Sequence, residues 1–129
     1  MKRLITATAI ALWGGVVMWA MDPVHPDTGM IVAALGGAFL SGLASAPLFL
    51  RQHWGWSALG AVCATCGGAA LGGALLATVG LPSSPVQGMA LGIALVGAGI
   101  LQSPVVFLTW LAGAVAVASI APRAARFSP

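Results

Sequence analysis

Glutamate and tyrosine are missing from this chain altogether, and charge of either sign is scarce. Five Lys or Arg and two Asp or Glu in 129 residues make 5% charged, against roughly 25% in a soluble domain. So few charges cannot cover a water-soluble fold of this size. Ion-coupled transporters and proton relays usually keep an ionisable residue within the membrane, and here none falls inside a long apolar run. No phosphate-binding glycine loop is present, and no Ser/His/Asp set with workable geometry. The sequence therefore reads as non-enzymatic, with no metal site and no cofactor that can be named. The isoelectric point of about 9.7 rests on five basic residues, all beside run boundaries. They read as topology signals and not as a nucleic-acid patch.

What is present is apolar. Hydrophobic residues make up 60% of the chain and mean hydropathy is +1.04. They arrive in blocks at residues 4–21, 29–50, 56–79 and 86–120, and crossing a bilayer takes about 20 such residues. The expectation is an all-α integral membrane protein, residues 1–129 forming one transmembrane domain, a four-span helical bundle in a bacterial-type inner (plasma) membrane. The first block begins with Lys2 and Arg3 as a secretory signal would. A signal core runs to about 7–15 residues and ends in small residues, whereas this run is longer and ends at Met18, Trp19, Ala20 and Met21. It reads as a retained span.

Threading follows from the charges. Lys2 and Arg3 precede the first span, Asp22 and Asp27 follow it, Arg51 and His53 follow the second, and Arg123 and Arg126 follow the last. Placing every Lys and Arg on one side makes both termini cytoplasmic. Trp19 then falls near the outer boundary and Trp54 and Trp56 near the inner one, as in aromatic belts. The last block strains this scheme. Its 35 residues as one helix would be about 52 Å long against a hydrocarbon core of about 30 Å. Residues 102–104, Gln-Ser-Pro, are the expected interruption, because proline removes a backbone donor and clashes with the preceding turn. A last helix broken or kinked near Pro104 keeps four spans. A tight hairpin there would make five, and would put Arg123 and Arg126 outside.

Both cysteines, Cys63 and Cys66, lie in one C-x-x-C on the third span. Membrane thiol oxidoreductases that reduce a quinone carry such a pair, but with a second one in an outward loop, and this chain has no other cysteine. The pair lies about 10–15 Å into the bilayer at 1.5 Å per residue, where a poorly solvated thiolate is a weak nucleophile and metal ligand. The favoured reading is packing. Gly60, Ala64, Gly68 and Gly72 recur every four residues, a small-xxx-small row that lets helices approach closely. The cysteines are then small side chains beside that row.

The second span carries two such rows, Gly37, Ser41 and Ser45 beside Ala38, Gly42 and Ala46. Ala7, Ala11 and Gly15 form one on the first span, and Gly88 and Gly92 one on the last. The expected helix-packing residues are thus Gly37, Ser41, Ser45, Gly60, Ala64, Gly68 and Gly72, with Gln102 and Ser103 as polar contacts to a neighbouring helix. In the loop after the first span, Asp22, His25 and Asp27 could bind a divalent cation. A rigid turn is preferred, with Asp27 or Thr28 capping the second helix. Arg51 reads as a snorkelling residue among interfacial tryptophans, and His53 as a candidate for headgroup or partner contact.

These readings favour a non-catalytic accessory or assembly subunit packed against a larger membrane complex. Its partners would be membrane lipid and other membrane subunits, or further copies of itself. A small oligomeric transporter or channel, with residues 102–104 in the path, is the alternative. A holin-like membrane protein is a third.

Overall fold

The computed structural model describes residues 1–51, 53–79 and 84–126. Among them every regular element is helical: α1 (Lys2–Met21), α2 (Thr28–Phe49), α3 (Trp54–Thr78), α4 (Pro85–Gln102) and α5 (Pro104–Arg126). Each of the five is long and apolar enough to cross a membrane.

Local chemistry sets the boundaries. α1 stops before Asp22-Pro23, since the residue preceding a proline is driven out of the helical region; Asp22 is extended at φ −142°. Its carboxylate accepts from the His25 backbone N–H at 3.0 Å, closing the turn. Asp27 caps α2, accepting from the Gly29 and Met30 N–H groups at 2.8 and 3.3 Å. Ser84 caps α4 through the Gln87 N–H, with Pro85 in the first turn where its missing donor costs nothing. The block at residues 86–120 is divided at Ser103, which is extended (φ −116°, ψ 115°) ahead of Pro104. Helical bonding nevertheless runs up to it and away from it. The Ser103 N–H donates to Gly99, and the Ser103 carbonyl accepts from Phe107.

α2 lies between two partners and gives each a different row of small residues. Toward α1, Gly42 faces Ala7 and Ile10 while Gly14 faces Ala38. Toward α3, Gly60 faces Phe49 and Leu48 while Gly72 faces Ala33. Both pairings are antiparallel. α4 packs chiefly on α3 and α5 chiefly on α1, and the two make little contact with each other. The core gathers Ile10, Trp13, Val17, Ala38, Phe49, Ala64, Val106 and Val117.

The contacts also fix which ends lie together. α4 begins at the Thr78 end of α3, where Gly88 meets Gly73 and Ala77. The far part of α5 lies at the opposite end, where Ser119 and Pro122 share a groove with Arg51, His53 and Ser57. Lys2, Arg3, Arg51 and Arg123 are accordingly at one end of the bundle, and Asp22 and Asp27 at the other.

Candidate functional site

Close backbone approach is what the small residues provide. A Cβ added at Gly37 would lie 2.5 Å from both the Gly68 carbonyl oxygen and the Gly72 nitrogen, a separation no real side chain tolerates. At Gly68 it would lie 3.2 Å from the Ala38 Cα, and at Gly72 3.1 Å from the Ala33 carbonyl oxygen. At Gly60 it would lie 3.0 Å from the Phe49 ring. Ala64 is 2% exposed at the middle of the row. Between these contacts the buried Ser41 hydroxyl donates to the Ala64 and Cys63 carbonyls at 3.2 and 3.4 Å, tying α2 to α3 where no water is available to do so. Ser45, also buried, donates back to Ser41 within α2 at 2.9 Å and makes no bond to another helix.

The two cysteines lie elsewhere. Both are free and exposed on the outer surface of α3, not in the small-residue face beside which they were expected. The reason is angular: at about 100° per residue, Cys63 is turned about 100° and Cys66 about 160° from Ala64. Only the Cys63 backbone takes part in the contact. Gln102 is exposed and Ser103 is half-buried at the break between α4 and α5. Its hydroxyl accepts from the Val106 N–H at 3.5 Å, across the break itself. Among the described residues no three His, Cys, Asp or Glu side chains come together.

A second polar feature escaped the sequence reading. Trp13 donates its indole N–H to the Trp110 carbonyl at 3.0 Å, Trp110 donates its own to the Thr65 hydroxyl at 2.8 Å, and Thr65 donates to Ala61 at 2.8 Å. The chain links α1, α5 and α3 midway along the bundle. Trp13 and Trp110 have ring centroids 6.1 Å apart, and Gly113 admits the Trp13 ring against α5. The signal was available: a tryptophan far from a span boundary must place its N–H on a partner inside the bundle. Gly113 is the complement of that ring.

Several hollows lie among the described residues. A cavity of about 60 Å³ lies among Ile10, Trp13, Thr65, Gly68, Val96 and Trp110. A cleft of about 380 Å³ separates α4 from α2 and α3, with Asp27, Met30, Leu76, Leu91 and Leu95 among the residues that line it. A groove of about 380 Å³ lies at the basic end, between α3 and α5. At that end the Arg51 guanidinium stacks 4.5 Å above the Trp56 ring. Comparison with family models, with curated proteins and with solved structures gives no match.

Proposed function

We propose that this is a non-catalytic accessory or assembly subunit of a bacterial-type inner membrane, presenting α4 to a larger membrane complex. One observation carries the reading. Only 6% of the apolar span of α4 is buried within the chain, against 39% for α1 and α2. Its outward face nevertheless repeats the device used inside: Ala90, Ala94 and Ala98 are exposed at intervals of four, and Gln102 continues the row. Lipid gives no reason for small side chains in register, whereas a partner helix at close range does, and Gln102 supplies a hydrogen bond to it. Purification in mild detergent is expected to yield a stable assembly larger than the chain. Ala94→Leu should release that assembly while leaving thermal stability of the isolated chain unchanged. Elution of the wild-type chain alone, or an Ala94→Leu assembly that stays intact, would overturn the reading.

In the same proposal α4 and α5 make a single traverse, giving four crossings and both termini in the cytoplasm. Supporting this, α4 starts beside Ala77 and α5 passes Arg51, so the pair runs from one end of α3 to the other. The basic end is assigned to the cytoplasm by the positive-inside tendency. Reporters fused before Lys2 and after Pro129 should both report cytoplasm; a periplasmic signal from the second alone would make five crossings.

The cleft beside α4 favours a small oligomeric transporter or channel as second reading. It ranks lower because the walls are almost wholly apolar and the Gln102 and Ser103 polar groups lie outside it.

A further inference from the structure

The groove between the start of α3 and the end of α5 has a basic wall and a mostly apolar one. On one side stand Arg51, His53 and Ser57 with Trp54; on the other, Val115, Ala118 and Pro122 of α5 with Ser119. Its volume of about 380 Å³ is within the roughly 300–1,000 Å³ of small-ligand sites. We propose that it holds one anionic phospholipid, with the headgroup phosphate against Arg51 and His53 and the first part of an acyl chain along Val115 and Ala118.

Charge, level and shape each support that occupant. Asp22 and Asp27 are the only acidic side chains and lie at the far end of the bundle, so among the described residues no carboxylate side chain lies against Arg51. Stacking on Trp56 restrains its guanidinium without satisfying its donors. His53 occupies the N-cap position of the 25-residue α3 and makes no side-chain capping bond, so the positive end of that helix lies beside the groove His53 lines. Arg51 lies between the end of one apolar span and the start of the next, the level at which a bilayer places its phosphates. A free anion would need only the basic wall. The apolar wall opposite selects a ligand that is itself amphiphilic.

The test uses the whole protein in nanodiscs of equal phosphatidylglycerol and phosphatidylcholine, extracted and read by native mass spectrometry. The wild type should retain one phosphatidylglycerol in preference to phosphatidylcholine, and millimolar inorganic phosphate should not displace it. Arg51→Gln should weaken that retention about fivefold, the effect of losing one cation near a charged surface. Ser119→Trp fills the groove from an exposed position on α5 and leaves every charge in place, and it should abolish retention. Lys2→Gln combined with Arg3→Gln removes charge from the same end but outside the groove, and should leave retention intact. The proposal fails if no anionic lipid is retained, or if inorganic phosphate displaces it. It fails equally if Ser119→Trp retains the lipid, or if the Lys2/Arg3 variant loses as much as Arg51→Gln, which would mark a diffuse surface field and not a site.

Discussion

α3 turns glycines toward two neighbours, and the neighbours are held in different ways. On the α2 side, Gly60, Gly68 and Gly72 meet a helix already backed by α1 and fastened through the Ser41 hydroxyl. On the α4 side, Gly73 meets Gly88 and Gly92 backbone to backbone, with contacts at least as close. Yet α4 is barely buried, and most of its circumference has no helix of this chain against it. Identical residue chemistry thus makes a core in one place and a one-sided contact in the other. A small-residue row states how near a helix can come, and the elements behind that helix decide how firmly it is kept.

The comparison can be broken at two glycines. Gly37→Leu places a side chain where even a Cβ finds the Gly68 and Gly72 backbones 2.5 Å away. α2 cannot retreat, because α1 occupies its other face. The expected loss is at the upper end of roughly 1–3 kcal/mol, read as a lowered midpoint of thermal unfolding in detergent. Gly73→Leu inserts the same bulk against Gly88, but α4 is free to swing outward into lipid or detergent. It should cost clearly less in global stability while raising hydrogen exchange across α4 alone. Equal losses from the two variants, or exchange spread evenly over all helices, would show that α4 is held as firmly as α2.

Much of this division was legible in the residues and some was not. The rows through Gly37 and Gly68 are visible because a four-residue repeat marks one side of a helix whatever lies opposite. The boundary between α4 and α5 falls at Ser103 beside Pro104, whereas Pro47 and Pro122 stand inside helices, so a proline by itself does not decide where a helix ends. Which neighbour each row meets is not local information. Nothing in Gly88 and Gly92 says that their partner is Gly73, or that α4 will have no helix on its other side. The Trp13 to Trp110 link, with 97 residues between donor and acceptor, depends on α5 packing on α1. Cys63 reads as lying beside the packing row because it precedes Ala64, but the helical angle from one residue to the next is large enough to carry its side chain off that face.

That last point gives the smallest expected effect and the sharpest control on the others. Cys63 and Cys66 are exposed, so replacing both with alanine removes sulfur from the surface of α3 and opens no space inside. The one interaction at Cys63 that joins helices is accepted by its carbonyl from Ser41, and a backbone acceptor survives any side-chain change. Stability in detergent should therefore stay within about 0.5 kcal/mol of wild type, as for surface positions generally. A double variant that unfolds as early as Gly37→Leu would mean that this face of α3 is covered. The contrast between an enclosed α2 and a one-sided α4 would then need a third surface on the same helix.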